Sequence, residues 1–271
     1  MKRWLNNLLI AVFAAVFLIC GTLLLRHYLS IRENQQTYDQ LAELVEQARP
    51  EPTQAATLPQ EQTQPVQTEP PEVTEAAPEM LPEYAQLYEI NNDFVGWLRI
   101  DDTNINYPVM QSPEEPDYYL YRDFYKNSSR GGCLYAQAEC DVDRPSDNIT
   151  IYGHNTRGGA IMFYALNGYT RKSFWEDHPY IQFDTLMQRH TYEIVAVFKT
   201  SANLNQGFPY HKFVDAADEA AFNAFVQTCK ELAFYETGVT AQYGDKLITL
   251  STCEYTLNNG RLAVVAKRIG E

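Results

Sequence analysis

The sequence predicts a mainly β domain carried behind an N-terminal membrane-spanning helix and a disordered stalk. Three observations carry that expectation. An unbroken apolar run opens the chain. A segment of Pro, Glu, Gln and Thr with almost no large apolar side chain comes after it. From Glu83 onward, short β-type runs alternate with turn residues.

The apolar run, Leu5 to Leu25 (LNNLLIAVFAAVFLICGTLLL), holds no charge. About 20 such residues at ~1.5 Å each cross a bilayer core of ~30 Å, so it is read as a transmembrane signal-anchor. A removable signal peptide is the competing reading. Against it, the run exceeds a usual h-region, and no small-residue cleavage site precedes Arg26, His27 and Tyr28. Bulky Ile19 stands before Cys20, which makes that cysteine an apolar helix residue rather than a lipidation site. Lys2 and Arg3 on one side face Arg26 and Arg32 on the other, so charge alone does not orient the helix. Residues 1–4 are too short a tail to form a domain, which places all the chemistry on the C-terminal side.

Residues 26–49 read as a juxtamembrane helix that continues outward, with Tyr38, Leu41, Leu44, Val45 and Ala48 at helical spacing. Over 50–82 helix propensity collapses. A composition that cannot bury enough surface to offset its ordering entropy reads as a stalk, holding the next domain away from the membrane. Residues 83–271 then make one domain of ordinary size. It opens on a short helix (EYAQLYEINND) and carries eight candidate strands: GWLRI, INYPVM, GGCLYA, NITIYGH, YIQFD, TYEIVAVFKT, KLITLSTC and RLAVVAKRI. The runs EIVAVF, LITL and LAVVA suit strands buried on both faces or lining a closed barrel. Two helical inserts are expected, around residues 160–177 and from Asp215 to about Tyr235. In the second, Phe222, Phe225, Val226, Cys229 and Leu232 form one face, Asp215 is the expected N-cap, and Gly238 lies beyond the end.

The net charge is −14, and no Lys or Arg occurs between Arg49 and Arg99, so much of the excess acid belongs to the stalk. A nucleic-acid binder needs clustered cations, and none is expected here. Outside the apolar run, Cys133, Cys140, Cys229 and Cys253 show neither a C-x-x-C pair nor a zinc spacing, so neither a metal nor another cofactor is expected. Spacing leaves a Cys133–Cys140 bridge open, and Cys229 on the apolar helix face reads as core packing.

Three residues stand out for chemistry. Cys253 ends the hydrophobic run KLITLSTC and is followed by the polar stretch EYTLNNG, the place where a sheet exposes a reactive side chain. A cysteine alone is more often buried and inert. His154 ends NITIYGH beside Gly153, Gly158 and Gly159, and alone it reads as a surface-turn histidine. Arg261 opens the last run, eight positions after Cys253 across Asn258, Asn259 and Gly260. A hairpin there brings Cys253 and Arg261 to one end of the sheet, where a guanidinium can stabilise an oxyanion. Taken singly, Arg261 is a solvent-facing charge. His27, His178, His190 and His211 carry weaker contexts.

Together these residues resemble one family. Thr249-Leu250-Ser251-Thr252-Cys253 followed by Arg261 matches the T-L-x-T-C…R signature of the sortases, and Tyr152-Gly153-His154-Asn155 is similar to their catalytic-histidine segment. VGWLRIDDTNINYPVMQ, DYYLYRDFY, DNITIYGHN and the helix before the cysteine strand resemble class B sortases over the whole of 83–271. The resemblance implies an eight-stranded sortase β-barrel. It implies a transpeptidase that cuts a C-terminal sorting signal on a secreted protein and passes that protein to an amine of the cell-wall peptidoglycan. Cys253 would be the nucleophile, His154 the acid and base, and Arg261 the oxyanion partner. Ser251 and Tyr255, two positions either side of Cys253 on an alternating strand, are expected to line the substrate groove. The resemblance also orients the chain, with the N-terminus cytoplasmic and the catalytic domain outside a Gram-positive type of envelope. A pilin-polymerising sortase and a cysteine peptidase that hydrolyses its acyl-enzyme are the competing functions. The reversed order of Cys and His counts against a papain-like fold.

Overall fold

A computed structural model describes residues 2–50, 79–155, 161–203 and 206–270. Eight strands close into one barrel in the order β1-β2-β3-β4-β7-β8-β6-β5, with β5 pairing back onto β1. They are β1 Phe94–Arg99, β2 Asn106–Met110, β3 Leu134–Ala136, β4 Asn148–Tyr152, β5 Tyr180–Thr185, β6 Thr191–Ser201, β7 Leu247–Glu254 and β8 Gly260–Ile269. All eight runs expected as strands are strands. The pairs β2–β3 and β4–β7 are parallel and the rest antiparallel.

Side-chain alternation explains why the long strands read as apolar throughout. In β8, Leu262, Val264 and Ala266 join the main core, whereas Ala263 and Val265 point the other way into a second cluster under a helix. That helix, α4 (Glu219–Leu232), buries Phe222, Phe225, Val226 and Cys229. Each large side chain so buried contributes roughly 1.5–3 kcal/mol. The N-cap differs from the expectation. Asp218, not Asp215, accepts from Ala221 N at 2.8 Å, while Asp215 accepts instead from Asp147 N at 2.9 Å and ties the helix approach to β4. The insert around 160–177 is a 3₁₀ turn, Phe163–Thr170, followed by α3 (Lys172–Asp177). All described cysteines are free, and Cys133 and Cys140 are both buried without a bridge between them.

At the N-terminus α1 runs without a break from Lys2 to Ala48. Its first half exposes Phe13, Phe17, Leu18 and Leu24, and an 18-residue window there has mean hydropathy 2.9 with none of it buried. The helix is long and apolar enough to cross a membrane. Its second half behaves differently. Tyr38, Leu41 and Val45 sit one above another on one face and are buried in the barrel's main core. Of the segment expected as a stalk, residues 51–78 lie outside the described residues. The chain leaves α1 at Ala48 and returns at α2 (Pro82–Ile90), where Arg49 Nε lies 3.8 Å from Glu83 Oε1. Both ends of the segment therefore meet on the barrel.

Candidate active site

Strand direction assembles the site. Because β4 and β7 are parallel, with Tyr152 opposite Ser251, both run out at the same rim of the barrel. The residues that follow stay side by side: Gly153 N donates to Ser251 O at 3.1 Å, and Thr252 Oγ1 donates to Gly153 O at 2.7 Å. His154 comes next on one arm and Cys253 on the other. Antiparallel β8 starts at that rim, and Arg261 is the register partner of Cys253. Side chains of directly opposed residues share a face.

Cys253, His154 and Arg261 all line one cleft of about 520 Å³. His154 Nε2 lies 2.7 Å from Leu120 O. A carbonyl oxygen can only accept, so Nε2 carries a proton and Nδ1 is the nitrogen left for exchange. Tyr121 packs a tilted ring beside the imidazole, centroids 5.6 Å apart. The backbone under His154 is closely packed: a Cβ on Gly153 would collide with Leu134 Cδ2 and fall 2.6 Å from the Phe163 ring. The guanidinium of Arg261 is steered by the β7–β8 turn, where Nη1 donates to Asn259 Oδ1 at 3.1 Å and Gly260 O at 3.0 Å. Asn259 itself takes a left-handed φ of 49°, which asparagine tolerates better than most residues.

Ser251, expected near a substrate groove, is among the residues that line the cleft. Its side chain is buried and shares a 2.6 Å hydrogen bond with Tyr210. Tyr255 lies elsewhere, beyond the end of β7 and outside the cleft lining, with its hydroxyl donating to Asn155 O at 2.5 Å.

Several contributors were not singled out from the sequence. His211 is in the cleft; burial first, then the charges of Lys212 and Arg261, push its pKa down against an opposing Glu139. Asn155 is nearly fully buried. Its amide donates to Cys253 O at 3.0 Å and forms a reciprocal pair with Asn167 at 3.1 and 3.0 Å, so it ties the arms that carry His154 and Cys253 together. A polar residue directly after a strand-end histidine was the available signal. The Leu120 carbonyl left no signal at all, being backbone. Glu254, next to Cys253, forms an ion pair with Lys199 at 2.9 Å and accepts from Thr256 N at 2.9 Å, bracing the turn that carries Arg261. Among the described residues no cluster of His, Cys, Asp and Glu could hold a metal ion.

A family model described as the sortase domain matches residues 98–269. Sortase B of Listeria monocytogenes is 31% identical over 193 residues, covering 70% of this chain and 76% of that protein. Sortase B of Staphylococcus aureus is 30% identical over 190 residues, covering 69% and 75%. Among solved structures, sortase B from Bacillus anthracis in complex with AAEK1 superposes with a TM-score of 0.69 at 26% identity, over 90% of this chain and all of that one. The Staphylococcus aureus sortase B–substrate complex gives 0.70 at 25% identity, over 88% and 97%. With the barrel, the cleft and a signature that ends on a strand-end cysteine all in agreement, the chain belongs to the sortase family, as a cysteine transpeptidase of class B.

Proposed function

We propose that this sortase is held in the cell membrane by α1, N-terminus cytoplasmic and barrel outside. There it cleaves a C-terminal sorting signal of secreted proteins and transfers each protein to a peptidoglycan amine. The observation that carries the catalytic part is the register pairing of Cys253 with Arg261 at the rim where His154 also emerges, all three facing one cleft. The anchoring part rests on the continuity of α1. From Leu25 to Tyr38 the helix advances about 20 Å at its usual rise, which puts the cleft close to the membrane surface where secreted clients emerge.

In this reading the Cys253 thiolate attacks the scissile carbonyl carbon, and the oxygen that gains charge is held by the Arg261 guanidinium. Collapse breaks the C–N bond as His154 gives its proton to the departing amine, leaving a thioester on Cys253. The incoming amine passes a proton to His154, its nitrogen forms the new amide, and the C–S bond breaks to return the thiolate. Ser251 lines the cleft beside the acyl group, whereas Tyr255, turned to the Asn155 carbonyl, is assigned no contact with it.

The Staphylococcus aureus sortase B has been solved with a substrate, and a sortase B has been solved with triglycine. Oligoglycine is accordingly one amine to test beside stem peptides. The full chain in detergent micelles would be incubated with a library of sorting-signal peptides and each amine, and products read by mass spectrometry for wild type and for Cys253→Ala, His154→Ala and Arg261→Ala. An amide-linked product from wild type alone supports the proposal. Free acid as the sole product favours a hydrolase, preference for a pilin lysine favours a polymerase, and no adduct on Cys253 with any peptide defeats the catalytic assignment.

A further inference from the structure

The contacts between α1 and the barrel do more than bury apolar surface. Tyr38 donates to Gly132 O at 2.6 Å and its hydroxyl lies 3.2 Å from Cys133 Sγ. One turn before it, Asn34 Nδ2 donates to Ser129 Oγ at 2.8 Å. The segment so held, 129–133, backs directly onto the 3₁₀ turn Tyr118–Tyr121: Cys133 N donates to Tyr119 O at 3.0 Å. Gly132 takes a φ of +59°, and a Cβ there would come within 2.5 Å of Leu120 O and 2.7 Å of Tyr119 O. Leu120 O is the acceptor for His154 Nε2. Three consecutive contacts thus join Tyr38 to the imidazole.

A second route starts from the same side chain. The Tyr38 ring meets the Tyr107 ring edge-on at 5.4 Å, and the Tyr107 hydroxyl accepts from Met162 N at 3.3 Å. Met162 occupies φ 53°, ψ −128°, a backbone region that costs a non-glycine residue roughly 1–3 kcal/mol and persists only when its surroundings hold it. Met162 bridges Asn155, and the next residue, Phe163, donates its N–H to His154 O at 3.0 Å. Both the ring and the backbone of His154 are therefore linked to Tyr38 through short chains of intervening contacts.

We propose that the distal half of α1 is a positioning element for His154, acting through Tyr38, so that the catalytic unit includes the helix leading out of the membrane. The inference rests on His154 being the acid and base of the proposed reaction. Tyr38 touches no reacting atom and works through the Leu120 carbonyl and the Met162 turn. A consequence follows for the anchor: tilting or pulling α1 relative to the barrel changes the alignment of His154, and the enzyme works best with α1 seated.

Tyr38→Phe separates positioning from folding, since it removes the hydroxyl and keeps the ring against Tyr107; Tyr38→Ala removes both. Both would be made in the full chain in detergent micelles. Two readouts are used. The first is the imidazole signals of the chain's five histidines, labelled with ¹⁵N and titrated, His154 being identified as the signal missing from His154→Asn. The second is kcat and KM for transpeptidation. The expected result is a shifted His154 titration and Nε2 signal in Tyr38→Phe, with the other histidines unmoved and unfolding temperature near wild type. Alongside it, kcat falls about ten-fold at unchanged KM, within the ~100-fold that misplacing a catalytic group by an ångström costs. Tyr38→Ala is expected to move the signal further. If both variants leave the His154 signal and kcat where they are in wild type, the proposal is overturned. If kcat falls only in step with the folded fraction and the signal stays put, Tyr38 is structural and the proposal is equally overturned. The histidine titration needs no substrate, so it still decides the matter if wild type acts on no peptide, an outcome that would count against the proposed function instead.

Discussion

Asn155 offers the sharpest test of how the site is held, because the substitution closer to it in shape should be the more damaging of two. Its amide donates to Cys253 O and to Asn167 Oδ1 and accepts from Asn167 Nδ2, all at 3.0–3.1 Å in a nearly solvent-free position. A net ~1 kcal/mol for each hydrogen bond gives about 2–3 kcal/mol for Asn155→Ala, since half-buried Asn167 recovers part of its loss in water. At 2–4 °C per kcal/mol for a domain of this size, the unfolding midpoint should drop by roughly 4–12 °C. Asn155→Asp keeps the shape but aims an oxygen at the Cys253 carbonyl, replacing a donor with an acceptor facing an acceptor. It should be the more damaging of the two despite being the closer in volume. Thermal unfolding of the full chain, with single-turnover acylation of Cys253 at a temperature where all variants are folded, reads both effects. Acylation should slow in both, more so in Asp. An aspartate variant as stable and as fast as wild type would show that the amide does not clamp the two arms, and the reasoning would fail.

The remaining predictions concern the rim around that clamp. Arg261→Lys should lower kcat by about two orders of magnitude despite keeping the charge, because an ammonium cannot reproduce the planar fork that the Asn259 turn steers; near-wild-type turnover would remove Arg261 from the oxyanion role. Gly153→Ala should destabilise by roughly 1–3 kcal/mol, from the clash with Leu134 and Phe163, and should slow acylation beyond that loss, which chemical denaturation and single-turnover kinetics together would check. For Glu254, burial works to raise the pKa, but Lys199 and hydrogen bonds from Thr256 and Leu257 together hold it below its ordinary value of 4.5. The unfolded chain then binds this proton more tightly than the folded one. The stabilisation is full above about pH 4.5 and is lost as pH falls through the depressed folded value. Glu254→Gln should accordingly flatten the acid limb of unfolding temperature against pH below 4.5, and an unchanged limb would refute the assignment.

What could be read beforehand, and what could not, follows from the range over which each signal acts. Local patterns carried the strands and the Cys253–Arg261 hairpin, since an asparagine-glycine turn between two apolar runs leaves little choice of pairing. They carried the α4 face except for Leu232, which is exposed at the helix end, and they misplaced the cap, because Asp215 and Asp218 are chemically equal candidates and only the approach of β4 decides between them. The alternation rule put Ser251 and Tyr255 on one face with Cys253, yet it holds only while the strand lasts. β7 ends at Glu254, and Tyr255 turns away to the Asn155 carbonyl. The apolar face of Tyr38, Leu41 and Val45 looks the same in sequence whether it meets a second helix or a barrel.

The deepest gap concerns β4 and β7. Nothing local says that two strands far apart in the chain lie side by side, still less that they run parallel. That parallelism nonetheless makes the site. Two parallel neighbours end at the same rim, so a histidine after one and a cysteine at the end of the other emerge together, and an antiparallel β8 beginning there brings Arg261 to the same edge. Had β4 run antiparallel to β7, His154 would leave at the far end of the ladder, about 16 Å away for a five-residue strand. The motifs that pointed to chemistry are therefore strand ends rather than strand interiors. Their value as signals depended on a topology that the sequence disclosed through resemblance and not through periodicity.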